Sequence, residues 1–252
     1  MFRIGQALLA GAVAFGVMTG AALAQGTPMP IAAPKREGAP RPPTAMQPGP
    51  PPITGSTGRF SAKAAQPGGF DVNQRALVDR VSLYLSTIQN LVGDFVQVGP
   101  DGTRTEGQLY LQKPGKIRFE YKPPSVIEVV ADGSSVVVRD RKLATQDVYP
   151  LSQTPLRYLL ADRIDLMRDT NVVSLAQDDV FVTVTIEEKQ AMIGTSRLMM
   201  MFGAKDLQLR QWTVTDPQGF DTTVAVYNLD ASKKPDPRMF VINYDNNVHR
   251  VQ

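Results

Sequence analysis

GQLYLQKPGKIRFEYKPPSVIEVVADG, from Gly107 to Gly133, decides how the fold of this chain is read. Apolar residues recur there at every second position. Leu109 and Leu111 share one face of the first run. Ile117, Phe119 and Tyr121 share one face of the second, and Arg118 and Glu120 take the other. An apolar face opposite a polar one, at a period of two, marks a half-buried antiparallel strand. Pro114-Gly115 turns the chain between the runs, Pro123-Pro124 breaks the second, and Asp132-Gly133 is a short-hairpin signal. The stretch holds no cysteine, no histidine and no evident catalytic group, so the use of such a sheet has to lie in its apolar face.

The same period continues on both sides. Upstream, a strand opens at Phe95 and runs to the Gly99-Pro100-Asp101-Gly102 turn, and the next covers 106–112. Downstream, strands are expected over 126–131, 135–140, 143–148, 171–176, 180–187, 196–202, 207–215, 220–229 and 239–242. That makes eleven or twelve strands, and short connections make them antiparallel. Only two regions have helical spacing. Between Asp71 and Leu91, the residues Leu77, Val81, Tyr84, Ile88 and Leu91 recur at steps of three and four, with Asp71 or Asn73 as N-cap and Gly93 after the end. Thr154-Pro155 opens the second region as N-cap and first helical residue. Leu156, Leu159, Leu160, Ile164 and Met167 form its apolar stripe, and Asp162 can recap the chain midway, which would divide it into two short helices.

The ends have a different composition. Residues 1–24 carry Arg3, an apolar run from Ala7 to Met18, and Ala22-Leu23-Ala24 before Gln25, the grammar of a cleaved secretory signal. No cysteine follows the cleavage site, so no lipid anchor is expected there, and no disulfide supports the fold. No later segment approaches the ~20 apolar residues that span a bilayer. An exported protein of the periplasm is the expectation. Residues 25–69 hold eleven prolines among small and polar residues, the composition of an extended spacer. Residues 70–244 form the folded domain, and 245–252 a polar tail. The net charge of +3 comes without a Lys/Arg cluster, so nucleic-acid binding has no support.

Reactive chemistry has little material. His249, in the tail, is the only histidine, and without cysteine neither a Ser-His-Asp triad, a thiol nucleophile nor a His/Cys metal cluster can be assembled in the domain. Pro114-Gly115-Lys116 is a turn and not a phosphate loop. Asp178-Asp179 and Glu187-Glu188 read as solvated turn or strand ends, not as a glycosidase pair. No enzyme, cofactor or metal is expected. A large antiparallel sheet must close, split into two layers, or bury its concave face on something. Here the cover is the two helical regions. Their side chains either fill the concavity as a solid core or leave an apolar cavity. Such a cavity would take hydrocarbon from water at roughly 0.8 kcal/mol per CH₂. Met167, Met192 and the run Met199-Met200-Met201 suit variable shapes as well as ordinary core filling. The interrupted segment from Leu156 to Met167 has the makings of a mobile lid, and Leu198 to Phe202 is apolar on both faces.

An ordered series of residues then carries a resemblance: Phe95 and Gln97; Gly107, Leu109 and Leu111; Lys113-Pro114-Gly115-Lys116; Arg118, Phe119 and Tyr121; Pro124; Val130-Ala131-Asp132-Gly133; Pro150-Leu151; Thr154-Pro155-Leu156; Leu159-Leu160; and Asp216 with Gly219. Over residues 70–244 the chain resembles the LolA family of periplasmic outer-membrane lipoprotein carriers. The resemblance implies a mainly β fold: an incomplete, half-open antiparallel β-barrel of about eleven or twelve strands with a helical lid over an acyl-chain cavity. It implies a monomeric chaperone that takes lipoproteins from an inner-membrane lipoprotein-releasing ABC transporter and hands them to an outer-membrane acceptor. The residues then expected to face the acyl chains are Leu77, Val81 and Tyr84 of the first helix. From the strands come Phe95, Leu109, Leu111, Ile117, Phe119, Tyr121, Met200 and Phe202, and from the lid Leu156, Leu159, Leu160, Ile164 and Met167. Many members place an arginine where Lys113 stands, thought to fasten the lid through backbone carbonyls. Lysine keeps the charge and loses the planar fork. A lipid-sensing or glycolipid-shuttling domain of the same fold is the alternative.

Overall fold

The computed structural model describes residues 69–190 and 194–244. The segments expected as signal (1–24) and tail (245–252), the spacer up to residue 68, Met192 and His249 lie outside the described residues. Helix α1 spans Val72–Thr87. A capping box starts it: the Asp71 carboxylate accepts from Gln74 N–H at 2.8 Å, and the Gln74 side chain accepts from Asp71 N–H at 2.9 Å. The strands follow as β1 (Asn90–Val98), β2 (Arg104–Gln112), β3 (Lys116–Tyr121), β4 (Ile127–Asp132), β5 (Ser135–Asp140) and β6 (Thr145–Pro150). A 3₁₀ turn (Leu151–Gln153) and the short helices α2 (Leu156–Leu160) and α3 (Leu166–Asp169) interrupt them. They resume as β7 (Asn171–Gln177), β8 (Phe181–Gln190), β9 (Gly194–Gly203), β10 (Leu209–Thr215) and β11 (Asp221–Asp230).

The eleven strands form one antiparallel sheet in the order β6-β5-β4-β3-β2-β1-β11-β10-β9-β8-β7. Consecutive strands are neighbours on both sides of a central β1–β11 pair, so short connections suffice, as the sequence predicts. The sheet does not close: β6 and β7 are its edges. Laid flat, eleven strands at ~4.8 Å spacing would be roughly 50 Å wide, several times the ~10 Å width of a helix. Yet Val136 of β5 and Leu175 of β7 belong to the same buried cluster as α1 and α2. The sheet therefore curls, and its inner face wraps the helices. The Gly107–Gly133 stretch is a three-strand meander, with Leu109, Phe119 and Val129 opposite one another across it.

Three expectations are corrected. Helix α1 ends at Thr87, because Ile88 is extended, and β1 has already begun at Asn90. Leu91 is thus a strand residue, and Gly93 sits inside β1, where a Cβ would lie 2.6 Å from the Leu229 side chain. Second, 239–242 is not a strand. Asp236 accepts from Arg238 N–H at 2.9 Å and starts a 3₁₀ turn over Pro237–Phe240. The chain then crosses the outer face of β3–β5, where Arg118 donates to the Met239 carbonyl and Arg139 to that of Asn243, each at 3.1 Å. Third, the 154–169 region does divide, but Asp165 and not Asp162 supplies the second cap, accepting from Met167 and Arg168 N–H at 3.1 Å. Thr154 donates to Leu151 O instead of capping α2.

Gly107 marks the tightest point of the meander. A Cβ there would collide with the Glu120 carbonyl oxygen and approach the Phe95 ring to 2.9 Å. Gly107→Ala should therefore destabilise the domain by ~2–4 kcal/mol, read as a lowered denaturant midpoint. An unchanged midpoint would mean that β2 and β3 do not pair this closely.

Candidate functional site

The residues expected to face cargo all meet in one cluster between the inner face of the sheet and the helices. Tyr84, Tyr121 and Met167 are partly buried against it, and the other expected residues are buried within it. The stripe of α1 is rotated from the expected one. Leu77, Val78, Val81 and Leu85 point inward with Ser82, while Leu83 is exposed. Val78 and Leu85 widen the stripe to the breadth usual for a helix lying on a core, and that breadth is the signal that could have found them.

Polar bonds at the rim fasten this cover. The Lys113-Pro114-Gly115 turn between β2 and β3 holds both helices from below. Lys113 Nζ donates to the Leu85 carbonyl of α1 at 2.5 Å, and Gly115 N–H donates to the Leu160 carbonyl of α2 at 2.9 Å. Lys113 thus clips the first helix, and the lid is clipped two residues later. Gly115 has φ +76°, and a Cβ there would strike Gly133, so this turn needs glycine twice over. On the other side of α1, Ser82 Oγ accepts from Leu166 N–H and Ser86 Oγ from Ile164 N–H, both at 3.1 Å. The Tyr84 hydroxyl accepts from Leu209 N–H at 3.0 Å, and its ring meets Phe202 edge-on. Burial raises the Tyr84 hydroxyl pKa above its ordinary value, partly offset by that backbone bond. Glu188 departs from the expectation of a solvated strand end. It pairs with Arg157 of α2 at 2.7 Å and holds the lid to β8, while Glu187 pairs with Arg197. Asp178 does behave as a turn cap, its pKa lowered by backbone N–H donors.

Side chains of the sheet and of the helices pack against one another beneath α1 and α2. A slot of about 20 Å³ lies there between Leu85, Leu109, Leu159 and Trp212, with Lys113 at its wall. A second space lies at the far end of the strands. A cavity of about 410 Å³ opens between the β1–β2 and β3–β4 turns, floored by Tyr121, Ile127, Val129 and Val138 and rimmed by Arg104, Glu106 and Lys122. The Tyr121 hydroxyl donates to Gln97 at 2.8 Å at this mouth. An aromatic row joins the two spaces. Tyr121 meets Phe95 with centroids 5.0 Å apart, Phe95 meets Phe119 at 5.1 Å, and Phe119 meets Trp212 at 6.3 Å.

Strict alternation misses Trp212. Counting by two from Leu209 puts Gln211 and Thr213 on its face and sends Trp212 outward. A bulge between Leu209 and Gln211 shifts the register, so that Leu209 and Trp212 both point inward. The indole is 1% exposed, and its Nε1–H has no hydrogen-bond partner among the described residues. A buried donor left so costs on the order of 1–3 kcal/mol.

Fold and interior define a class: an unclosed antiparallel half-barrel whose apolar inner face is covered by helices hydrogen-bonded at the rim. The chain belongs to the family of the outer membrane lipoprotein carrier protein LolA, whose pattern matches residues 86–243. It is 27% identical over 171 residues to the outer-membrane lipoprotein carrier protein of Chromohalobacter salexigens, covering 64% of this chain and 80% of that protein. To the protein of the same description in Methylobacillus flagellatus it is 26% identical over 139 residues, covering 52% and 68%. Among solved structures, a LolA superfamily protein of Nitrosomonas europaea aligns at 10% identity with a TM-score of 0.37, covering 66% of this chain and 98% of the other.

Burial of Lys113 lowers its pKa from 10.5 to about 8, against a smaller opposing pull from the Asp162 carboxylate. Below pH 8 the ammonium is charged in folded and unfolded chains alike, and the fold bears the cost of burying it. Above pH 8 the folded protein loses the proton first, so the unfolded chain binds more protons and stability rises with pH. In denaturation curves between about pH 7 and about 9.5, wild type should gain stability relative to Lys113→Met as pH increases. Parallel curves would show that Lys113 is not buried as described.

Proposed function

We propose that this chain is a periplasmic carrier that shelters the acyl chains of lipoproteins between its sheet and its helices, taking them from an inner-membrane ABC transporter and passing them to an outer-membrane acceptor. The observation that carries this reading is how the cover is held: aliphatic side chains of α1 and α2 lie on an apolar floor and are clipped at the rim by a few hydrogen bonds. Acyl methylenes can replace those side chains at small net cost, because both present hydrocarbon to the same floor. Each neutral rim bond contributes only ~1 kcal/mol, and the Lys113 bond about 1.5–3 kcal/mol. Family membership and the two named relatives support lipoprotein as the cargo.

The working cycle follows from solvation. Water is a poor solvent for acyl chains, the apolar interior a better one, and a bilayer at least as good as the interior. A carrier must therefore hold cargo less firmly than the acceptor membrane does. Extraction from the first membrane requires work, and the sequence has no phosphate loop to supply it. The transporter is the source. Loading parts α1 from the 156–169 segment, breaking the Ser82, Ser86 and Lys113 bonds, and unloading restores them. The role is binding and transfer, with no catalytic group, and residues 1–24 supply the export signal that places it in the periplasm.

Joining α1 to the lid tests the cycle. The chain has no cysteine, so Ser86→Cys with Ile164→Cys introduces a single pair where the Ser86 hydroxyl meets the Ile164 backbone. Protein held reduced should acquire triacylated lipoprotein from lipoprotein-bearing membranes in vitro, seen by native mass spectrometry, and oxidised protein should not. Equal loading in both states would rule out this gate. Glycolipid in place of lipoprotein would shift the reading to the shuttling alternative.

A further inference from the structure

The unpaired indole of Trp212 lies in the path that cargo would take. It lines the 20 Å³ slot with Leu85, Leu109, Ile117 and Leu159. The other polar group at that wall is Lys113, whose Nζ donates to Leu85 O while α1 is in place. An indole N–H and an ammonium are both donors, and neither can satisfy the other. The slot's walls are otherwise hydrocarbon, and with Lys113 bonded to Leu85 O the indole N–H is the donor there that lacks a partner. A bare alkyl chain would leave Trp212 as it is. An acyl linkage differs by one atom that matters, a carbonyl oxygen with two lone pairs attached directly to the hydrocarbon chain.

We infer that Trp212 Nε1–H donates to the carbonyl oxygen of an acyl linkage, ester or amide, once an acylated ligand has displaced the α1 side chains. The inference rests on the carrier reading and adds to it a recognition element: the protein distinguishes acyl from alkyl chains and sets the depth at which the linkage stops. The fold accepts an unpaired donor in its core because the partner arrives with the cargo.

The chain contains one tryptophan, so the ¹H–¹⁵N spectrum of the full-length protein has a single indole cross-peak to follow. Three probes of matched chain length are compared: palmitoylglycerol, palmitoylethanolamide, and the hexadecyl glycerol ether, which has no carbonyl. The ester, the amide or both should move the indole proton downfield and bind roughly fivefold more tightly than the ether, the worth of one net hydrogen bond. Which of the two does so identifies the linkage. Trp212→Phe, which keeps a ring and removes the donor, should bind ester, amide and ether alike. An indole shift of equal size with the ether, or a preference that survives in Trp212→Phe, would overturn the inference and leave the carrier reading standing. Failure of all three probes to bind would remove both.

Discussion

Eleven strands with an apolar inner face and two unpaired edges cannot stand in water uncovered. A closed barrel would turn the inner face into a sealed core. This sheet stops one pairing short, with β6 and β7 unpaired, and one long helix with two short ones supplies what closure would have supplied. The cover is apolar where it meets the floor, through Leu77, Val81, Leu85, Leu156 and Leu160, and polar only at its margins. Several of the marginal bonds end on main-chain atoms: the Leu85 and Leu160 carbonyls and the N–H groups of Ile164, Leu166 and Leu209. Such bonds orient the helices without adding much to the burial of hydrocarbon, which is what keeps them down. The proposed carrier role fits a cover of this kind, hydrocarbon laid on hydrocarbon and polar at its margins.

Most of the sheet was legible because its strands obey a period of two. Leu109, Leu111, Ile117 and Phe119 alternate in sequence and point inward in the structure, and the Asp132-Gly133 hairpin falls where its turn residues place it. Errors gather where the period is broken. The bulge at Leu209 hid Trp212. The change from α1 to β1 takes two residues, Ile88 and Gln89, too few for a visible change of pattern, and Gly93 invited the helix to be drawn up to it. At the other end, Met239 to Ile242 has the apolar look of a strand. The Asp236-Pro237 start commits it instead to a 3₁₀ turn, from which Phe240 reaches a buried position.

The fastening of the helices was less legible, for a different reason. Ser82 and Ser86 are polar residues at an interval of four, and on a helix that spacing says solvent as readily as it says contact. Their partners are 84 and 78 residues away. Glu188 looked like one of two adjacent acids at a strand end, and only the position of α2 beside β8 turns it into the anchor of Arg157. Lys113 was singled out through the family resemblance and not through any pattern of its own. Its partner proved to be the carbonyl end of α1, where a cation is also favoured by the helix dipole. Pairings between distant segments depend on the three-dimensional arrangement, and sequence spacing carries no record of them.

The connection between the two edges has a mechanical consequence. The chain passes from β6 to β7 only through Leu151–Thr170, the segment containing α2 and α3. That segment is both roof and tether. With about 20 residues at up to ~3.4 Å each when drawn out, it sets a ceiling on how far the rims can spread, and each turn of helix it keeps shortens the leash. The β1–β11 pair, midway across the sheet, is the spine about which the two leaves would swing. Gape and roof are thus one variable: the leaves can part only as far as the roof unwinds or lifts, like a purse whose drawstring is sewn to both lips.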